Sequence, residues 1–481
     1  MDINLSLLTI ELLTAGLAFA LLIIGLIAPP GQKKGVNYLA TIGLIGILAA
    51  SYMVGHNQGM TLKNMVIVDS FGLFFKQLFL VAAIMVSLSA NKYAERFENH
   101  RSEFAALLVF ATLGMMVIVA AGDLISLYLG IELMTISFYA LTGLQKNDHK
   151  SAEAGIKYIL LGAMSSAVIL YGLSLLYGST GTVVLKEIAE VVKANGFSGL
   201  QPVLLLGIVF LIGGLGFKIS AVPFHMWSPD VYEGAPTPVT AFLASGSKAA
   251  AFAALMRVLL GSLQNLSASW IALIVGIAIL SMLIGNLVAI PQTNLKRMLA
   301  YSGVAQAGYL LTGMVAGNAE GVKGIAFYLF IYAIGTVGAF AVASAFSSAN
   351  GSDEIKDLSG LAQRNPLMAA TLTITMLSMA GIPPLAGFAG KFYLFQAVVA
   401  RGYLWLALLG LVLSMVSVYY YLNVAKVMFM GEPQEGQGTI SIPMSMNIVL
   451  LIALGATVFF GVFPRPLAEM ANLAAKSIFL Q

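Results

Sequence analysis

The sequence predicts an all-α polytopic membrane protein with about fourteen transmembrane helices, and three observations predict it. Of 481 residues, 59% are hydrophobic and only 10% are charged, where a soluble domain carries about 25% charge. Mean hydropathy is +0.91. The apolar residues also fall in runs of about 20, the length that crosses a hydrocarbon core ~30 Å thick, with short polar turns between them. The net charge of +4 is scattered, so nucleic acid is not an expected partner. Cysteine is absent, which excludes disulfides, thiolate-held zinc and cysteine-ligated iron–sulfur clusters in this chain.

In chain order, spans are expected near 5–29, 37–55, 69–91, 103–121, 123–145, 153–177, 201–222, 238–260, 269–290, 298–317, 320–347, 366–400, 403–430 and 444–463. The first run lacks a basic leader and a small-residue cleavage site, and reads as a retained span. The seventh is broken at Pro223. The twelfth is too long for one crossing and is interrupted at Gly381-Ile382-Pro383-Pro384. Segment 181–196 has helical period with polar positions interspersed, which fits a short interfacial helix, and the tail 466–481 fits another. No soluble domain, linker or low-complexity region is visible. The expected division is 1–102 for helices 1–3, 103–260 for helices 4–8, 261–430 for helices 9–13, and 431–481 for helix 14 and the tail. Helices 7 and 12 are discontinuous and lie five helices apart, so units 4–8 and 9–13 would form inverted repeats with the site between them. The loops after odd-numbered helices carry Lys33, Lys34, Lys92, Arg96, Arg101, Lys146, Lys150, Lys296, Arg297, Lys356 and Arg364. The other face holds chiefly Lys63, Lys186, Lys193, Arg401 and Arg465. Both termini are therefore expected on the outer side.

Four ionisable residues lie deep in apolar runs: Glu132, Lys218, Lys248 and Lys391. A lysine at mid-membrane depth costs roughly 3 kcal/mol, so each needs a reason to be there. A Glu132–Lys218 pair would hold both groups charged, and separating the pair would release a lysine able to give up its proton. The other reading is a static buried ion pair that fixes helix packing. His225, directly after Pro223-Phe224, is a candidate relay between Lys218 and Lys248, with a hydrogen-bonded structural histidine as the alternative. Glu11 and Lys76 either snorkel or pair. Lys157, Arg257, Lys323 and Lys426 lie near span ends and are expected to snorkel. Asp230 and Glu233 are expected to cap the following helix or bind a neighbour. The remaining histidines, His56, His100 and His149, are not spaced as a metal site. The glycines near 213–216 lack the strand and acidic residue of a dinucleotide fold. Close helix packing accounts for them.

The segments LYLGIELMTISFYAL, GFKISAVPFHMWSPDVYEGAPTPVTAFLASGSK and LKRMLAYSGVAQAGYLL resemble the antiporter-like membrane subunits of respiratory complex I. The resemblance is closest to the N-type subunits of bacterial proton-translocating NADH-quinone oxidoreductase and spans essentially the whole chain. Motif by motif, the family's pumping residues fall on Glu132, Lys218, Lys248 and Lys391. The M-type paralogue is expected to carry glutamate where this chain has Lys391, and the L-type a long C-terminal lateral helix. The resemblance implies outward proton movement along Glu132–Lys218–(His225)–Lys248–Lys391, driven by electron transfer elsewhere. NADH, FMN, Fe–S clusters and quinone are expected in other subunits and no cofactor in this chain. L-, M-, K- and J-type membrane subunits are the expected partners in a bacterial cell membrane. Multi-subunit Mrp-type cation/proton antiporters and redox complexes with another electron donor share this architecture and are the competing readings.

Overall fold

Short polar side chains start helices where apolar sequence begins. Asp69 accepts from the Gly72 amide (2.7 Å), Asp123 from Ser126 (2.6 Å), Asn318 from Gly321 (2.9 Å) and Asn365 from Met368 (3.0 Å). Each fills one of the donors that a helix start leaves open. The computed structural model describes residues 4–29, 35–55, 57–195, 202–433 and 438–479. Lys33, Lys34 and His56 lie outside the described residues.

The helices are α1 (Thr9–Ile27), α2 (Val36–Val54), α3 (Ser70–Tyr93), α4 (Arg101–Ala120), α5 (Leu124–Thr142), α6 (His149–Thr180), α7 (Leu185–Asn195), α8 (Pro202–Lys218) and α9 (Trp227–Gly234). They continue as α10 (Thr237–Ser262), α11 (Ser267–Ala289), α12 (Leu295–Ala316), α13 (Ala319–Asn350), α14 (Pro366–Ala380), α15 (Ala386–Ala400), α16 (Leu404–Met430), α17 (Met444–Val462) and α18 (Arg465–Phe479). Among the described residues, eleven helices are long and apolar enough to cross a membrane, and α8, α14 and α15 are shorter apolar ones. Helices α7 and α18 stand where short interfacial helices are expected. A hairpin of β1 (Gly59–Thr61) and β2 (Val66–Val68) joins α2 to α3. Strands of three residues are too short for alternation to reveal them in sequence.

Burial separates interior from periphery. The most apolar window of α10 is 100% buried and that of α13 94%, against 28% in α17 and 33% in the first span. Exposed leucines, isoleucines and phenylalanines coat the peripheral helices, as a surface facing lipid requires. Gly214 of α8 packs directly on Ser165 and Ile169 of α6, where a side chain would collide. This bears out the packing reading of that glycine.

Two helices stop by the same device. α8 ends with Ser220 in the left-handed region (φ +59°); its amide donates to Phe217 O (3.0 Å) and the Ala221 amide to Gly216 O (2.8 Å). α14 ends with Gly381 at φ +86°; its amide donates to Ser378 O (2.9 Å) and the Ile382 amide to Leu377 O (3.1 Å). Both patterns are the Schellman motif. A cis X–Pro bond follows three residues later in each, at Pro223 and at Pro384. The first break thus begins at Lys218, ahead of the proline expected to cause it.

One expectation is corrected and two open alternatives are decided. Arg257 does not snorkel: it is 2% exposed and bonded by both guanidinium amino groups to Asp69, with Val119 O as a further acceptor. The carboxylate draws it inward, and that partner lies 188 residues away in sequence. Asp230 and Glu233 do not cap α10, whose first turn follows Pro236 without a side-chain cap; they bind basic side chains instead. Of the two readings of Glu11 and Lys76, pairing is the one observed, at 2.5 Å.

Candidate functional site

Lys248 sits on the most enclosed helix, α10, directly after a π-helical turn over Leu243–Ser247, with a second over Met256–Ser262. Such turns insert an extra residue and re-aim the side chains that follow. The Lys248 ammonium donates to Gly303 O on α12 (2.6 Å) and lies 5.7 Å from the centre of the Tyr332 ring on α13. Lys218, the last residue of α8, donates to Thr135 Oγ1 on α5 (2.9 Å). Lys391 of α15 reaches Ser414 Oγ on α16 (2.7 Å) and Ala380 O at the end of α14 (3.3 Å), and lies 4.1 Å from the Tyr309 ring centre on α12. All three are buried. None of the three has a carboxylate within ion-pair distance among the described residues.

The expected Glu132–Lys218 ion pair is therefore open in this structure. Thr135, three residues on along α5, takes the lysine instead. Glu132 is half-buried, and its Oε1 has no hydrogen-bond partner among the described residues. Helical geometry puts residues 132 and 135 on one face, a single turn apart. His225, in the break between α8 and α9, is half-buried and tilts its ring edge toward Tyr301, 6.4 Å between centres. Its Nδ1 has no hydrogen-bond partner among the described residues, and the hydrogen bonds of Lys218 and Lys248 go to Thr135 and Gly303 instead.

The breaks explain where the local dipoles come from. In an uninterrupted helix Met379 O and Ala380 O would accept from residues 383 and 384, both prolines without an N–H. The freed Met379 O accepts from Gln306 Nε2 (3.0 Å), and Ala380 O from Ser414 Oγ (2.7 Å) and Lys391. Gln306 was not singled out by its sequence, because an amide in an apolar run carries no charge to reveal it. The break at α8 is closed by Trp227 Nε1 donating to Phe217 O (2.9 Å) and Ser281 Oγ accepting from the Val222 amide (2.9 Å).

A second cluster lies where α6 and α12 begin and α9 ends. Asp230 bonds Lys157 (2.6 Å) and Arg297 (2.8 Å), and Glu233 bonds Lys150 and Arg297 (3.1 Å each). Burial alone would raise both carboxyls, but the hydrogen bonds from these bases outweigh it and hold them below the usual carboxylate range. Among the described residues no group of three or more histidines or carboxylates is placed to hold a metal ion.

A bundle of apolar helices, two of them broken, with lysines enclosed at the breaks and on the innermost helix, defines an antiporter-like membrane protein. Residues 121–417 match the family described as NADH:quinone oxidoreductase/Mrp antiporter, TM. The chain is 53% identical to NADH-quinone oxidoreductase subunit N of Moorella thermoacetica, over 99% of each sequence. It belongs to this family, in the branch of the N subunits. Its fold also matches a chain of respiratory complex I from Thermus thermophilus (32% identity, TM-score 0.81, covering 96% of this chain and 98% of that one). A chain of the Mrp complex from Dietzia shares the fold alone (20% identity, TM-score 0.88, covering 99% and 98%).

Proposed function

We propose that this chain is the N-type membrane subunit of a proton-translocating NADH-quinone oxidoreductase, moving protons outward across a bacterial cell membrane. Electron transfer from NADH to quinone, through FMN and Fe–S clusters in other subunits, drives it. L-, M-, K- and J-type membrane subunits are its neighbours, and both termini face outward. The observation that carries the proton role is the set of three enclosed lysines held by neutral acceptors alone. An ammonium in a dry interior favours its neutral form, and a nearby carboxylate reverses that preference. Lys218 leaving Thr135 for Glu132 would gain a proton, and its return would release one toward Lys248 and then Lys391. His225 is the candidate for the step between the first two lysines. The paired breaks of α8 and α14 support a reading of two inverted units, 103–260 and 261–430, that meet at this path.

The test is Lys218→Ala and Lys391→Ala, made singly in the assembled complex and reconstituted into vesicles. The expected outcome is a lower proton-to-electron ratio in each. Assembly with an unchanged ratio in both would remove the pumping role, and sodium-dependent transport without a redox donor would favour an antiporter.

A further inference from the structure

Lys248 and Lys391 lie on different helices, and neither is a hydrogen-bond partner of the other. What stands between them is a buried set of neutral groups on α12 and α13. On the Lys248 side, a Cβ added to Gly303 would sit 3.0 Å from the Lys248 ammonium and 3.1 Å from the Tyr332 hydroxyl. Both polar groups therefore border the space that the missing side chain leaves open. Tyr332 stacks on Tyr328, one turn earlier on α13, with ring centres 6.4 Å apart. The Tyr328 hydroxyl donates to Gln306 Oε1 (2.5 Å), and Gln306 Nε2 donates to Met379 O (3.0 Å). Gln306 and Tyr328 are 0% and 1% exposed.

The orientation of this amide is fixed. A backbone carbonyl can only accept, so the Gln306 NH2 must point at Met379 and its oxygen must face the phenol. Met379 O and Ala380 O are neighbouring carbonyls, both freed by the prolines of the break. One is held by Gln306, the other by Lys391 and Ser414. Lys391 and Gln306 therefore hold neighbouring peptides of one helix end, and Tyr328 links Gln306 to the ring of Tyr332.

We propose that Gln306 and Tyr328 are positioning residues that join the Lys248 site to the Lys391 site by holding the broken end of α14. The inference rests on the proton path proposed above. The coupling runs through oriented hydrogen bonds from Met379 to Tyr328 and through ring stacking from Tyr328 to Tyr332, with no titratable carboxylate or imidazole inserted between the lysines among the described residues. Such networks transmit a change only while each member is satisfied.

The experiment uses the assembled complex in vesicles and four variants: Tyr328→Phe, which removes one hydroxyl and keeps the ring; Gln306→Leu; Gln306→His, which retains one donor and one acceptor; and Lys391→Ala. The expected result is a proton-to-electron ratio in Tyr328→Phe and Gln306→Leu lowered to the level of Lys391→Ala, with Gln306→His close to the parent chain. An unchanged ratio in the first two, with Lys391→Ala lowered, overturns the inference and leaves the proposed function standing. An unchanged ratio in all three overturns the inference too, because it takes Lys391 off the proton path on which the inference rests. Failure of both Gln306→Leu and Tyr328→Phe to assemble, or no rescue by Gln306→His, also overturns it, because the pair would then be only structural.

Discussion

An ammonium taken out of water must be satisfied by a carboxylate or by dipoles, and this chain uses the two solutions for different residues. Lys76 and Arg257 face Glu11 and Asp69; Lys218, Lys248 and Lys391 face two hydroxyls and two carbonyls. A carboxylate fixes a cation in its charged form, whereas neutral acceptors leave it able to lose its proton. The two classes should respond differently to removal. Arg257→Met takes the guanidinium away from the buried Asp69 carboxylate, a loss of about 3–5 kcal/mol. Lys391→Met strands no charge, and its polar partners, Ser414 and Ala380, keep each other. Thermal unfolding of the purified complex should show a marked drop for the first and little change for the second. Equal drops would contradict the division. The lysines were legible in the sequence because a charge in an apolar run is conspicuous. Their acceptors were not, since backbone carbonyls and a threonine look the same wherever they occur. Arg257 was misread for a related reason: closeness to a span end signals snorkelling only when no acid comes near from elsewhere in the chain.

At the level of elements, the informative feature is how two helices end. The prolines made both interruptions visible in the sequence, yet the terminating residues are Ser220 and Gly381, which adopt the left-handed conformation ahead of them. Glycine occupies that region freely, while a residue with a Cβ is strained there by about 1–2 kcal/mol. A matched pair of substitutions follows. Ser220→Gly should raise the stability of the solubilised complex by up to about 1 kcal/mol, and Gly381→Ala should lower it by a similar amount. The alanine Cβ would also come within 3.1 Å of Lys391 Cδ, so Gly381→Ala should lower the proton-to-electron ratio as well. Thermal unfolding together with the vesicle assay checks both. Destabilisation by Ser220→Gly would mean that the serine hydroxyl, rather than the backbone, holds that break. Lys218 precedes its break whereas Lys391 follows its own, so the shared device is one of backbone geometry with the charges placed on opposite sides of it.

Across the whole molecule, α9 is tied to α6 and α12 by charge as well as by packing. Arg297 at the start of α12 reaches both Asp230 and Glu233 on α9, while Lys150 and Lys157 of α6 hold the same two carboxylates. The eight-residue α9 is too short to cross a membrane, and this clamp binds its acidic side chains to α6 and α12. The sign of its pH dependence follows from the depressed carboxyl groups. A carboxylate held below its unfolded value stabilises the folded arrangement above that value and loses the contribution as pH falls through the folded one. The clamp should therefore be intact from neutral pH down through pH ~5 and weaken only below the ordinary carboxylate range near ~4. Its pairs are partly exposed, so each contributes at most about 1 kcal/mol. Hydrogen exchange of the α9 amides, corrected for the intrinsic pH dependence, measures this directly. Protection should be level between pH 7 and 5, and the Asp230→Asn/Glu233→Gln double variant should exchange up to about fivefold faster for each kcal/mol lost at pH 7. Identical protection in the parent and the double variant would show that packing alone holds α9, and the ion pairs would then have no part in joining it to α6 and α12.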